Sequence, residues 1–132
     1  MILISLLISK YGILVFSYNI AGAERYRAIT TSHIRNADGA YLVYDITSEN
    51  SFNTLDFWYE CIKKATDDDI VVYLIGNKLD LIRNASHNRK ISTQKALEFA
   101  KKYNMKGFCE CSAKDNVNIV QTSERFFKGY NF

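Results

Sequence analysis

Continuous apolar runs alternate along this chain with segments in which apolar residues return every three or four positions, and the alternation predicts strands followed by helices. Ile2 to Ile8 and Ile13 to Tyr18 are apolar runs separated by Ser9-Lys10-Tyr11-Gly12, a short turn ending in glycine. They read as a β-hairpin. Ala40 to Asp45 is a further strand with a continuous apolar core. Between Ser51 and Thr66, Leu55, Trp58, Ile62 and Ala65 recur at helical spacing and predict one buried stripe, with Trp58 as core packing. Ile70 to Ile75 is β-branched and apolar throughout, the pattern of a strand covered on both faces, and the Gly76 that follows marks its carboxyl end. Ile82 to Arg89 is polar, holds His87 with no partner in sequence, and reads as a surface loop. Ser92 can cap a helix running to about Tyr103, with Ala96, Leu97, Ala100 and Tyr103 facing inward. Phe108 to Cys111 reads as a short strand, and Val117 to Tyr130 as a closing helix with Val120, Ser123, Phe127 and Tyr130 on one side. Strands alternating with helices imply a parallel, three-layer α/β sheet.

Composition narrows this picture without redirecting it. A length of 132 residues suits one domain with a real core. The net charge of +3 comes from Lys and Arg spread along the predicted helices, which excludes a nucleic-acid groove or a polybasic membrane patch as the leading reading. Cys61, Cys109 and Cys111 have no metal-ligand spacing. Cys109 and Cys111 stand two apart on one strand and share a face, as reduced, partly buried thiols. Met1 to Ile8 is apolar, but it lacks a basic leader and a small-residue cleavage site, and Lys10 interrupts it, so a strand is expected there.

Candidate chemistry gathers where two strands end. In open α/β sheets, ligands sit at the carboxyl ends of the strands. The Ile70 strand empties into Asn77-Lys78-Leu79-Asp80. Asp80 offers two acceptor oxygens, which suit the paired ring N–H and exocyclic amine of guanine, whereas adenine presents no matching pair of donors. Asn77 can tie the loop or reach the base edge, and the Lys78 stem can lie over the purine face. Taken alone, these four residues also read as a polar turn. A second loop, Ser112-Ala113-Lys114, follows the Phe108 strand and could donate a backbone N–H to the guanine carbonyl oxygen.

With both loops in this order, the chain resembles the Ras superfamily of small GTPases. Ala21 to Thr30 and Gly39 to Ile46 look like the Rab branch specifically, and the similarity runs from about Ile13 to Tyr130. The resemblance implies a P-loop-NTPase-like three-layer α/β domain with a mostly parallel sheet, and a regulatory GTP-binding protein of the vesicle-traffic type. It assigns guanine recognition to Asn77, Lys78, Asp80, Ser112, Ala113 and Lys114, with GTP or GDP as ligand and Mg2+ as the family's metal. Gly22 corresponds to a glycine whose N–H contacts the terminal phosphate, and it also reads as a turn residue needing free φ and ψ. Protein effectors or regulators are expected to use the segment from Arg25 to Asn36, the counterpart of the family's second switch.

Several departures shape what is expected. The phosphate-loop pattern Gly-x-x-x-x-Gly-Lys-Ser/Thr does not occur in the sequence. In the family it precedes the hairpin, so the expectation is one truncated domain over residues 1–132 that lacks the first strand, phosphate loop and first helix. Charged hydrogen bonds contribute about 1.5 to 3 kcal/mol each, so losing four costs roughly 6 to 12 kcal/mol, or about four to eight decades of affinity. Asn19 replaces the family's magnesium-organising Asp, so no metal residue is assigned. Ala23 replaces the Gln that orients the attacking water, so no catalytic residue is assigned and GTP hydrolysis is expected to be absent or severely impaired. Tyr18, His33 and Ile34 stand where Rab proteins carry aromatic effector-contacting residues. The end Gly129-Tyr130-Asn131-Phe132 has no Cys to prenylate, so no lipid anchor is expected and the location expected is cytoplasmic. The competing readings are a pseudo-GTPase protein-interaction module and a non-functional gene fragment. Without the family's central first strand, an empty slot would leave its neighbours about 9.6 Å apart, so the Ile13 and Ala40 strands are expected to close up and pair or the chain to be poorly folded.

Overall fold

A computed structural model describes the backbone of residues 2–9, 12–19, 39–66, 70–84, 88–119, 121 and 124, and side chains from residue 39 onward within those ranges. The strands are β1 (Ile2–Ser9), β2 (Gly12–Asn19), β3 (Gly39–Asp45), β4 (Val71–Asn77) and β5 (Gly107–Glu110). The helices are α1 (Glu49–Asn53), α2 (Leu55–Ala65), α3 (Leu79–Arg83) and α4 (Thr93–Lys102). The sheet order is β2-β1-β3-β4-β5, with β3, β4 and β5 parallel. The β1–β2 hairpin joins this parallel unit through antiparallel pairing of β1 with β3.

The vacancy expected beside β3 is closed, but by β1 and not by the Ile13 strand. The register sets Ser5 opposite Leu42 and Ile8 opposite Gly39, while β2 takes the outer edge. Composition supplies the reason. Within Ile2 to Ile8 the only polar residue is Ser5, which suits a strand paired on both sides, whereas β2 ends in Ser17-Tyr18-Asn19, which suits an edge. Two reversals of direction leave β2 running the same way as β3. Its last residue, Asn19, is therefore at the same end of the sheet as Asp45 and Asn77.

Alternation along β3 and β4 builds two cores. Ala40, Leu42, Tyr44, Val72 and Leu74 face α1, α2 and α4 and pack with Phe52, Leu55, Trp58, Ile62, Ala96 and Ala100. Tyr41, Ile75 and Cys111 form a second cluster on the opposite face with Val43, Val71, Tyr73, Cys109 and Ile119. Because both faces of β3 and β4 are covered, these strands read as unbroken apolar runs. Cys109 and Cys111 do share a face, and all three cysteines are free thiols. No helix among the described residues is long and apolar enough to cross a membrane.

The helices follow their caps and stripes, with local corrections. The Ser92 hydroxyl accepts from the Lys95 N–H at 3.1 Å and starts α4 as expected. Ala96 and Ala100 are buried, but Leu97 is exposed, because its position lies a hundred degrees around the helix from Ala96 and Phe99 fills the inward face instead. Trp58 is core, and the stripe from Leu55 to Ala65 holds, although Thr54 separates a short α1 from α2. Ile82 and Arg83 belong to α3 and not to a loop. Val117 pairs with Ser112 in a β-bridge, so helical structure begins later, with Ile119, Gln121 and Glu124 helical and the rest of that expected helix outside the described residues.

Gly76 is the penultimate residue of β4, at the carboxyl end as expected, and it has a steric role as well. A Cβ there would stand 2.8 Å from the Tyr44 hydroxyl oxygen and 3.1 Å from Ile46 Cγ1. Tyr44 and Ile46 are fully buried, so neither ring nor branch has room to swing away. Gly76→Ala is therefore expected to destabilise the chain by about 1 to 3 kcal/mol. Urea denaturation followed by circular dichroism measures this, and an unaltered midpoint would show that the close approach is not real.

Candidate functional site

The site grows from the carboxyl ends of β4 and β5, which parallel pairing brings side by side. The Cys111 N–H donates to the Gly76 carbonyl at 2.8 Å, and the Leu79 N–H donates to the Cys111 carbonyl at 3.0 Å. These two backbone bonds carry the ladder past the formal ends of the strands and lock one loop onto the other. The side chains complete the junction. Asn77 Oδ1 accepts from the Ala113 N–H at 3.1 Å, and the Cys111 thiol sulfur lies 3.8 Å from the same oxygen. Burial, together with the neighbouring Cys109, pushes the Cys111 thiol up to about 12, so it acts as a neutral packing group.

Asp80 is the buried carboxylate of the site. It sits in the first turn of α3. The Ser112 hydroxyl donates to Asp80 Oδ1 at 2.7 Å, and Ser112 Oγ in turn accepts from the Asp115 N–H at 3.0 Å. Ser112 is also clamped through its backbone by reciprocal bonds with Val117, at 3.1 and 3.0 Å. A carboxylate oxygen carries two lone pairs, so the one side-chain bond that Asp80 accepts among the described residues, from Ser112, leaves it most of its acceptor capacity.

Lys78 occupies the left-handed region, with φ 71° and ψ 33°, and this turns the chain sharply between β4 and α3. Its ammonium reaches back to β3, where Nζ lies 2.9 Å from Asp45 Oδ2. Asp45 Oδ1 accepts from both the Thr47 N–H, at 2.8 Å, and the Thr47 hydroxyl, at 2.6 Å. Burial works against the charge on Asp45, but the Thr47 hydrogen bonds and Lys78 together outweigh it and hold the carboxyl below its usual range.

A further pair steadies the second loop from below. Both terminal nitrogens of Arg89 bond the two oxygens of Glu110, the last residue of β5, and the Thr93 hydroxyl adds a bond at 3.0 Å. The Asn118 amide donates to the Glu110 carbonyl at 2.9 Å. The Glu110 hydrogen bonds hold Arg89 firmly protonated against the opposing effect of burial. The Tyr44 phenol, enclosed nearby, is raised above its ordinary value by burial and by the charge of Glu110, and its hydroxyl has no partner among the described residues.

The structure thus brings together Asn77, Lys78, Asp80, Ser112 and Ala113. Within the second loop the Ala113 N–H is already taken by Asn77, whereas the Lys114 N–H makes no backbone hydrogen bond among the described residues. Asn19 ends β2 at this side of the sheet, while Gly22, Ala23 and the segment from Arg25 to Asn36 lie outside the described residues. Asp45, Thr47, Arg89 and Glu110 were not among the site residues expected from sequence. Asp45 could be read as the end of a strand, but its place opposite Asn77 follows only from the register of the folded sheet. For Arg89 and Glu110, twenty-one residues apart, no signal existed.

Comparison with known proteins places this arrangement. The profile described as the Ras family matches residues 9–130. The chain is 44% identical over 108 residues to Ras-related protein Rab-3C of Bos taurus, across 82% of this chain and 45% of that protein. It is 43% identical over 108 residues to Ras-related protein Rab-3A of Homo sapiens, across 82% and 47%. GTP-binding protein ypt3 of Schizosaccharomyces pombe is 43% identical over 104 residues, across 79% and 46%. The chain spans about half the length of these curated relatives.

Proposed function

Because the chain belongs to the Ras family and is Rab-like, we propose that it is a small GTP-binding protein whose two linked loops read the guanine base. The observation that carries this is the cross-bracing of the loops: Ser112 holds Asp80, and the Ala113 N–H holds Asn77. Such bracing fixes a carboxylate and an amide at the strand ends before any ligand arrives, which lowers the entropic cost of binding. Asp80 would accept the ring N–H and exocyclic amine of guanine, Lys78 would cover the ring face, and Lys114 would offer its N–H to the carbonyl oxygen.

The phosphate side is weaker in this chain. Its 132 residues contain no Gly-x-x-x-x-Gly-Lys-Ser/Thr sequence. The donor set also fits magnesium poorly, since Asn19 offers a neutral amide where a carboxylate is needed to order the metal's water. Ala23 has no group to orient a nucleophile, so turnover is not part of the proposed role. The chain would act as a guanine-nucleotide reader and protein-interaction module, a pseudo-GTPase in effect, with effectors or regulators meeting it through the segment 25–36.

Titration of the purified chain with a fluorescent GDP analogue, competed by guanosine and adenosine diphosphates, tests the proposal. Binding no tighter than the high micromolar range, with guanine preferred and little response to magnesium, is the expected result. Equal competition by the two bases, or no binding at all, would overturn base reading. Nanomolar, magnesium-dependent binding would overturn the weakened phosphate side.

A further inference from the structure

We propose that Asp45 is a positioning residue for the base site, holding the Lys78 ammonium at the end of β3 so that the Lys78 stem lies across the strand ends as a platform for the purine. The inference rests on the base-reading function proposed above and adds to it a residue from a different strand. Asp45 closes β3 directly opposite Asn77 of β4, so the anchor and the base loop are neighbours by register. Its backbone N–H donates to the Ser51 hydroxyl oxygen at 2.9 Å, and that hydroxyl in turn donates to the Ser48 carbonyl at 2.8 Å, which holds it in place beside Asp45. Thr47 supplies two donors to Oδ1, which leaves Oδ2 turned toward Lys78 Nζ.

This arrangement differs from an ordinary surface ion pair. Two mobile side chains that meet in water gain little, because both lose freedom and solvent screens the attraction. Here the carboxylate is fixed before the lysine arrives and is only 10% exposed, while the lysine side chain remains 45% exposed. The ordering cost falls on one partner only. The tethered Lys78 also holds a left-handed backbone, a region that a lysine adopts only when its surroundings favour it. Anchored at its tip, the four-carbon stem is drawn over the ends of β3 and β4 and presents methylenes to whatever lies against them. A free lysine would sample many rotamers and would have to be ordered by the base itself.

Four forms of the chain test this: the parent, Asp45→Asn, Lys78→Met and the double variant, each titrated with the fluorescent GDP analogue and competed with adenosine diphosphate. Asn retains an acceptor for Thr47, and Met retains an apolar stem without the charge. Asp45→Asn is expected to weaken guanine nucleotide binding about 3- to 10-fold. Lys78→Met should lose a similar factor, and in the Lys78→Met background Asp45→Asn should lose nothing more. A structural role alone would give the same loss in both backgrounds, and that additivity would overturn the proposal. Should Asp45→Asn fail to fold, Lys78→Met decides by itself, because binding equal to the parent would show that the tether does not serve the base. A parent chain with no preference for guanine removes the base-reading function itself, whereas a parent that prefers guanine beside an Asp45→Asn form that binds equally well overturns only the role of Asp45.

Discussion

Leu74→Ala is expected to remove roughly 2 to 5 kcal/mol of stability, the range for truncating a fully buried leucine. Leu74 is completely enclosed at the middle of β4, with Leu42 of β3 and Phe108 of β5 as its cross-strand partners. It therefore sits where the sheet is paired on both sides and the larger core presses on it from α1, α2 and α4. Neighbours on two strands cannot both move in to fill the space, so most of the cavity should persist. A domain of this size has about 5 to 15 kcal/mol in total, so one such change could take half of it. The site would feel the loss, because Asn77 ends the same strand three residues further on and Lys78 follows it directly. Urea unfolding monitored by circular dichroism gives the number. Leu97→Ala serves as the comparison, since that leucine is 37% exposed and its loss should stay within about 0.5 kcal/mol. Equal effects from the two substitutions would mean that β4 is not the centre of the sheet.

The same contrast explains what could be read from the residues alone. Strands β3 and β4 were legible because burial on both faces leaves an unbroken apolar run, and Ser92 announced its helix through a side-chain cap that acts within three residues. Both signals are local. The Asn77 and Ser112 loops were legible for a different reason: the first alone also reads as a polar turn, but the two together, in this order, resemble the paired loops of the Ras superfamily, and sequence order survives whatever the packing. Which strand of the hairpin borders β3 was not legible, since both runs are apolar and only the difference of a few polar residues favours β1 for the inner place. Gly76 was read correctly as lying at the carboxyl end of its strand, but its steric role was not legible because that need is spatial. Nothing beside it in sequence shows that the Tyr44 ring passes within reach of a Cβ. The Asp45 to Lys78 tether and the Arg89 to Glu110 clasp failed to appear for the same cause, as each joins charges whose proximity exists only once the parallel strands are in register.

Asp80→Ala is expected to erase the preference for guanine over adenine. The two bases differ at the edge that Asp80 would meet, where guanine offers two donors and adenine a nitrogen acceptor. Hydrogen bonds to a charged group contribute about 1.5 to 3 kcal/mol each, so a pair of them is worth roughly 3 to 6 kcal/mol, or about two to four decades of discrimination. The burial of Asp80 favours the upper part of that range, because a carboxylate with little access to water gains more from a matching donor. Adenine, which cannot satisfy the carboxylate, would leave it desolvated, and removing the carboxylate should make adenine bind no worse or slightly better. The fold should survive. Ser112 loses an acceptor, yet its oxygen keeps the Asp115 N–H and its backbone keeps Val117, so the second loop retains its shape. Competition by guanosine and adenosine diphosphates against the fluorescent analogue reports the ratio directly, with parent and variant melting curves run alongside. A ratio that falls to about one in a folded variant is the expected outcome given a two-donor match of this strength. A preference that survives Asp80→Ala unchanged would place the base elsewhere on the sheet edge and would sink the base-reading assignment of the Asn77 loop.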